Sequence, residues 1–458
     1  MKRDGPAKTR GGIARSIAIE TSTRAENPGV FCPDPWAFSD FSRTPLRLPS
    51  AWLALLSNVS QGRLGCPTVA NPELLSITDP SEHFVEGNQL RLLRDGSAAY
   101  PEMLAAIASA EQQILLEMYW FGSDSIGRKF AAALAAAAQR GVEVAIIFDA
   151  VGSVGASYQM FDELSRAGAQ VIEYNPIAPW KRRFRLSKLT RRDHRKILVV
   201  DGKTGFTGGI NIADYWLPLD DGGAGWRDDM VRIEGPAVAG LSDCFARVWG
   251  RLRGRKLSLP DAVLQPPPSQ SGRRLRLPAV RVLGQRFLRT QREISRAYLH
   301  YLRRAQRRIF IANSYFVPDG RVLRALTRAA RRGVDVRIIV PGQSDVDIVR
   351  HASRAVWGRL LRAGVRIFEW EESVLHAKTA VVDGLWSTIG TFNFDYMSLR
   401  MNLEVNVSVL DERFAERMES SFLEDSVRCR EVFLVDFRFR PLGQRLLEYI
   451  AYRLRKFL

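Results

Sequence analysis

Hydrophobic and polar positions divide the chain into stretches with different periods. Residues 1 to about 80 mix Arg, Pro, Ser and Gly with brief apolar patches such as AWLALLSNV, and no period is sustained. Such a stretch predicts an irregular extension. From Asn88 the pattern changes: NQLRLL reads as a strand, AAYPEMLAAIASAEQ as a helix and QILLEMYWF as a strand. An Ala-rich helix then ends at Arg140-Gly141, before the strand VEVAIIFD. Nearly continuous apolar strands alternating with helices predict an α/β architecture, its sheets mixed, mostly parallel and covered by helices on both faces.

Between Trp249 and about Ala279 the sequence becomes RGRKLSLPDAVLQPPPSQSGRR, whose Pro run and Ser, Gly and charge content predict a linker. Beyond it the same order of elements returns. The first half gives RGVEVAIIFD, SRAGAQVIEYNP and HRKILVVDGKTGFTGGINIAD; the second gives RRGVDVRIIVP, LRAGVRIFEW and HAKTAVVDGLWSTIGTFNFD. Three matching blocks in one order indicate duplication of a whole lobe. The expected organisation is an extension over 1–80, lobes over 81–250 and 281–437 joined by a linker over 251–280, and a terminal segment over 438–458. A pseudo-two-fold axis relates the lobes, with one site between them. The first lobe alone carries PIAPWKRRFRLSKLTRRD before its histidine block. This basic insert is expected near that histidine, as a solvated loop or as a contact for a phosphate-rich surface.

Composition refines the picture. A length of 458 residues exceeds what one core usually organises, and 46% apolar residues suffice for two. The 67 basic against 49 acidic residues, a net +18, point to a polyanionic partner, nucleic acid or an anionic bilayer, without choosing between them. Cys32, Cys66, Cys244 and Cys429 form no CxxC pair, which argues against a zinc knuckle or disulfide scaffold and fits a reducing cytoplasm. No stretch offers the roughly 20 apolar residues that span a bilayer, so membrane contact is expected to be peripheral. The last segment, PLGQRLLEYIAYRLRKFL, sets Leu442, Leu446, Leu447, Ile450 and Leu454 on one helical stripe beside Arg445, Arg453, Arg455 and Lys456. Such a helix either lies on an anionic bilayer or packs its stripe on the second lobe.

The chemistry lies in a constellation that occurs twice: His194, Lys196, Asp201, Gly208, Gly209 and Asn211, then His376, Lys378, Asp383, Gly390, Thr391 and Asn393. Two of the chain's five histidines thus occupy matching positions. On a strand, residues two apart share a face, so each His and Lys can meet one ligand. The Asp-Gly that follows signals a hairpin returning Gly and Asn to the same site. Paired His, Lys and Asn suit a phosphorus centre. Lysines and amides stabilise charge on the oxygens, while one imidazole attacks and the other protonates the leaving alkoxide, with no metal or other cofactor required. Asp228 in WRDDMVRIEG and Glu404 in NLEVNV are candidate carboxylates to orient the imidazoles; a surface ion pair is the alternative for each.

The doubled motif resembles the HKD signature of the phospholipase D superfamily, over residues from about 88 to 435. GGINIADYW, WRDDMVRIEGPAVAG and GTFNFDYMSLRMNLEVNV are similar to the corresponding phrases of bacterial cardiolipin synthases, particularly the short type without transmembrane helices. The resemblance implies a phosphatidyltransferase with His194 as nucleophile, forming a phosphatidyl-histidine, and His376 as general acid and then base. Lys196, Lys378, Asn211 and Asn393 would hold the phosphate, while Asp201 and Asp383, though part of the motif, would support the fold more than the chemistry. Gly209 and Thr391 stand where many members have Ser, and at Gly209 hydrogen bonding would rest on backbone amides. The implied partners are phosphatidylglycerol, phosphatidylethanolamine or cardiolipin at the cytoplasmic face of the membrane, with nucleic acid not expected. The alternatives are a phospholipase D hydrolase, a metal-independent phosphodiesterase or nuclease, and a non-catalytic scaffold. The phosphatidyl acceptor and the oligomeric state are left open.

Overall fold

The computed structural model describes residues 83–181, 183–253, 257, 276–285 and 292–457. The extension expected over 1–80 and most of the linker expected over 251–280 lie outside these residues.

The first half forms a seven-stranded sheet in the order β1-β7-β6-β5-β2-β3-β4. Its strands are β1 (Gln89–Arg94), β2 (Gln113–Met118), β3 (Glu143–Asp149), β4 (Gln170–Tyr174), β5 (Lys196–Val200), β6 (Thr204–Gly208) and β7 (Asp229–Glu234). The second half forms an eight-stranded sheet, β15-β11-β10-β9-β12-β13-β14-β8. There β8 is Ala279–Gly284, β9 Arg308–Asn313, β10 Asp335–Gln343, β11 Arg366–Val374, β12 Lys378–Val382, β13 Trp386–Gly390, β14 Val405–Leu410 and β15 Cys429–Val432. Read from β8, the second order repeats the first and adds β15, as a duplication requires.

Both sheets are mixed, but parallel pairing is the minority. Only β2–β3, β3–β4, β9–β10 and β10–β11 run parallel, and every other ladder is antiparallel. The reason lies in the motif blocks. Each Asp-Gly makes a tight reversal, with φ of 52° and 64° at Asp201 and Gly202 and of 56° and 67° at Asp383 and Gly384. The strands on either side must therefore pair antiparallel, and this half of each sheet was misread from its apolar composition.

Helices cover one face of each sheet. On the first, α1 (Asp95–Ala108), α2 (Ser125–Gln139) and α3 (Tyr158–Arg166) bury Met103, Phe130 and Phe161 against Ile114, Ile146 and Leu198. On the second, α5 (Glu293–Arg304), α6 (Gly320–Arg331) and α7 (Asp347–Leu361) do the same. The other faces do not receive a full helical layer of their own, contrary to expectation. They pack on each other, together with α4 (Val238–Arg253) from the first lobe and α9 (Glu412–Val427) from the second. Ile197, Val199 and Val231 thereby share one core with Val381, Ile389 and Val407. Each such side chain contributes roughly 1.5–3 kcal/mol on burial. This burial, together with the hydrogen bonds and ion pairs that cross the seam, sets how the lobes are held.

The short helix α8 (Tyr396–Arg400) follows the second motif. The chain then closes with α10 (Leu434–Arg438) and α11 (Leu442–Arg453), whose N-cap is Pro441. No helix of the described residues is long and apolar enough to cross a membrane.

Candidate active site at the seam between the lobes

Each histidine stands just before its motif strand and is pinned by the backbone of the other lobe. His194 N–H donates to Leu403 O (3.0 Å) and Leu403 N–H to Arg192 O (2.9 Å). His376 N–H donates to Arg227 O (2.7 Å) and Arg227 N–H to Val374 O (3.0 Å). The residue after each partner is a carboxylate, and the pairing is therefore crossed: His194 Nδ1 donates to Glu404 Oε2 at 3.1 Å and His376 Nδ1 to Asp228 Oδ2 at 2.7 Å. Each carboxylate thus serves the other lobe's imidazole, which sequence reasoning did not specify. Asp228 and Glu404 are fully buried, so neither is a surface ion pair. With Nδ1 committed, both rings present Nε2 to the site.

The carboxylates are held differently. Asp228 Oδ2 accepts from Trp216 Nε1 (3.0 Å) and Oδ1 from Asp229 N–H (2.8 Å). Glu404 accepts from Thr391 Oγ1 and from Ser398 Oγ (2.7 Å). Gly209 explains the asymmetry, because a Cβ there would lie 2.1 Å from Asp228 Oδ1. The missing hydroxyl is thus replaced by an indole N–H as well as a backbone amide, where amides alone were expected. Burial works to raise Glu404, but His194 and the two hydroxyls outweigh it and hold the carboxyl below its usual range. Asp228 is pushed up to about 6, chiefly by burial.

Lys196 and Lys378 lie wholly inside, and each Nζ donates to the carbonyl of its own histidine, Lys196 to His194 O at 2.8 Å. Burial pushes Lys196 down to about 7, with the charge of Lys378 adding to it, and burial pushes Lys378 down to about 8. Burial and these ammonium groups also lower His194, and His376 well below its ordinary value. A pocket in which burial and neighbouring ammonium groups suppress the charge of basic side chains is one that an anion relieves.

Asn211 and Asn393 complete the set. Asn211 Oδ1 accepts from Trp120 N–H (3.1 Å) and Asn393 Oδ1 from Ser314 Oγ (2.8 Å), which leaves each amide NH2 as the donor. Asp201 and Asp383 do not join them. At the far end of the motif strands, Asp201 accepts from the N–H groups of Glu111, Gln112 and Gln113 (3.0, 2.8 and 2.8 Å). Asp383 does the same for Gln306, Arg307 and Arg308 (2.8, 2.8 and 2.9 Å). They anchor the backbone before β2 and β9 and touch no reacting group.

Several residues at the site were not singled out from the sequence. Tyr119 stands edge-on to His194, ring centroids 4.9 Å apart, and under Lys196. Trp216 and Trp226 flank His376 at 5.4 and 5.7 Å. Asp149, pushed up to about 6 by burial, accepts from Arg192 Nε (3.2 Å) and Asp193 N–H (2.8 Å), tying the end of the basic insert to β3. The insert itself is a surface excursion, with Trp180 84% and Leu186 75% exposed. Trp216 and Trp226 lie in the motif phrases, but nothing in their spacing marks them; Tyr119 and Asp149 are assembled by the fold.

Two homologous lobes meeting at crossed His–carboxylate pairs, with lysines and amides turned inward, define a phosphoryl-transfer enzyme of the phospholipase D superfamily. The family model described as cardiolipin synthase, PLD-like domain, matches residues 103–249 and 298–426. The chain is 34% identical to cardiolipin synthase of Geobacillus thermodenitrificans (strain NG80-2) over 364 residues, 80% of this chain and 71% of that protein. It is 35% identical to cardiolipin synthase B of Escherichia coli (strain K12) over 346 residues, 73% and 80% of the respective chains. The crystal structure of phosphatidylserine synthase from Haemophilus influenzae Rd KW20 shares the fold, with a TM-score of 0.60, 14% identity, and coverage of 81% of this chain and 95% of that one. The chain belongs to the cardiolipin synthase family of phospholipase D-like proteins, and is a phosphatidyltransferase of that superfamily.

Proposed function

We propose that the enzyme makes cardiolipin or a related diester by passing a phosphatidyl group through His194 to the hydroxyl of phosphatidylglycerol or another alcohol. His194 Nε2 attacks phosphorus, the bond to the departing alcohol oxygen breaks, and that oxygen takes the proton of His376 Nε2. In the second half the acceptor hydroxyl gives its proton back to His376 Nε2, its oxygen attacks phosphorus, and the P–N bond breaks. Lys196, Lys378 and the amides of Asn211 and Asn393 stabilise the charge on the oxygens in both steps. The observation that carries this reading is the crossed pairing, since each imidazole is oriented by a carboxylate of the opposite lobe. The ionised Glu404 at His194 supports that ring as the nucleophile, because a carboxylate at Nδ1 stabilises the cationic phosphohistidine.

The relatives are named for a lipid product, and the net charge of +18 supports work at an anionic membrane surface. The free thiols of Cys244 and Cys429 fit its cytoplasmic side. The test is incubation with phosphatidylglycerol, with and without phosphatidylethanolamine, in EDTA, with products followed by mass spectrometry beside His194→Ala. Cardiolipin formed only with His194 intact supports transfer and shows the donor. Phosphatidic acid alone means a hydrolase and overturns the synthase reading.

A further inference from the structure

The stripe predicted on the terminal segment forms on α11 but is not packed on the lobe: Leu442, Leu446, Leu447, Ile450 and Leu454 are 78%, 60%, 46%, 46% and 42% exposed. The helix is held by its opposite face. Glu448 and Ala451 are buried, and Glu448 accepts from Arg354 Nε (3.2 Å) and Arg440 Nη2 (2.8 Å). Glu448 is also the sole acidic residue after Asp436 in the sequence. The outer face therefore presents leucines and isoleucine with the exposed cations Arg445, Arg453 and Lys456, and no carboxylate.

The direction of the helix relates it to the site. Phe437 meets Trp357, Glu448 meets Arg354, and Ala451 packs with Val349 and Ala352, so the segment runs antiparallel along α7 towards its N-terminus. There Tyr452 and Tyr315 pack on the same small cluster. Tyr315 follows Ser314, whose hydroxyl holds Asn393, and its own hydroxyl donates to Asp345 Oδ2 at 2.6 Å. The far end of the apolar stripe thus lies beside the rim of the site.

We propose that α11 docks the enzyme on an anionic bilayer, lying in the headgroup plane with its stripe inserted, and so turns the Tyr315 rim of the site towards the lipids. Charge complementarity identifies the partner: an apolar row on a helix whose exposed charges are all cations suits anionic headgroups and not a second basic copy of this chain. The inference rests on the phosphatidyl-transfer reading for its purpose, though not for its measurement.

The test uses the full-length protein and vesicles of phosphatidylglycerol or phosphatidylcholine, with binding read by sedimentation. A Leu446→Glu/Ile450→Glu variant alters only exposed positions, and Leu446→Ala/Ile450→Ala serves as the milder control. Wild type is expected to favour phosphatidylglycerol vesicles, the Glu variant to bind them roughly tenfold or more weakly, and the Ala variant to fall between. Turnover of vesicle lipid should fall with binding, while turnover of monomeric dihexanoyl-phosphatidylglycerol stays within about twofold. Equal binding by the Glu variant, equal preference for the two vesicles, or parallel loss of turnover on the monomeric lipid would each overturn the proposal. So would a wild-type dimer in light scattering that the Glu variant abolishes, since the stripe would then be a contact between copies. Absence of turnover by wild type on both substrates would sink the transfer reading instead, because the sedimentation difference is read without catalysis.

Discussion

Behind each motif strand the two lobes build opposite kinds of interior. In the first, Arg195 between His194 and Lys196 turns away from the site to lie 3.3 Å from Glu117 and 3.5 Å from Asp193, with its Nη1 donating to Cys244 O (3.0 Å). Burial pushes Glu117 well up even against the charge of Arg195. In the second lobe the matching residues are Ala312, Leu375 and Ala377, inside an apolar cluster with Phe310, Phe368 and Phe422. At the seam the same contrast recurs. Arg227 reaches Asp425 (2.9 Å) and Asp229 (2.8 Å), whereas its counterpart Leu403 is simply buried among apolar groups. One arrangement of His, Lys and Asn is therefore compatible with ionic or apolar support behind its strands.

The seam should break most severely at Arg227. Arg227→Leu copies the other lobe but leaves Asp229 buried without its cation and Asp425 with Arg94 alone, and urea unfolding is expected to show a loss of about 3–5 kcal/mol. A loss below about 1 kcal/mol would mean that the carboxylates simply protonate. Arg195→Met alone should cost a similar amount. The triple change Glu117→Leu, Asp193→Leu, Arg195→Met, by contrast, should lie within about 1 kcal/mol of wild type or above it. If the triple change is as damaging as the single one, the ionic cluster does more than fill space, and the lobes are not interchangeable in their support.

The two carboxylates offer a subtler comparison, read in kcat at constant fold. Gly209→Thr gives the first lobe the hydroxyl of the second, but its Cβ meets Asp228 and displaces the carboxylate from His376. A loss of roughly 10- to 100-fold is expected, as for other partners that orient a functional imidazole. Thr391→Val removes one donor from Glu404 but leaves Ser398 and His194, and should cost roughly tenfold or less. If Gly209→Thr kept full activity, Trp216 Nε1 and the Asp229 amide would suffice to hold Asp228 against the added side chain.

What could be read from the sequence follows from what spacing can encode. The duplication, the motif strands and the inward His and Lys were legible because alternation and the doubled motif fix them locally. Asp228 and Glu404 were legible as candidates, but not the crossing of the pairs, which depends on Arg227 and Leu403 bridging to the opposite motif. The sheets were misjudged as mostly parallel because buried antiparallel strands such as KILVV and KTAVV are as apolar as parallel ones. Their second faces were given helices because composition cannot distinguish a helix from another sheet as the covering layer. For α11 the period gave the stripe, but not which face Arg354 would hold.

The finest distinction between the lobes lies in the lysines. Burial pushes Lys196 down to about 7 and Lys378 only to about 8; Asp228 and Glu404 oppose it at both, while Asp345 and Asp395 add their opposition at Lys378 and the charge of Lys378 adds to the lowering at Lys196. Both need their protons to hold a phosphodiester, and both lose them earlier than an ordinary lysine. Hence kcat/KM, which reports the free enzyme, should fall as pH rises through 7 to 8. His194, lowered by burial, is already neutral there and sets no limit on that side. His376, lowered further, must carry its proton as general acid and gives a separate, earlier fall at lower pH, so the limb through 7 to 8 is the lysine limb. Asp395 belongs to the second lobe alone; Ala213 stands opposite it in the first. Asp395→Asn retains an oxygen to accept from Ser398 N–H (2.7 Å) while removing a negative charge. Asp395 is itself pushed up to about 7 by burial, so it carries only part of that charge at neutral pH. The alkaline limb of kcat/KM should therefore move to lower pH by only roughly half a unit. A limb that stays where it is would assign the difference between the lysines to Asp345 and to the charge of Lys378 acting on Lys196.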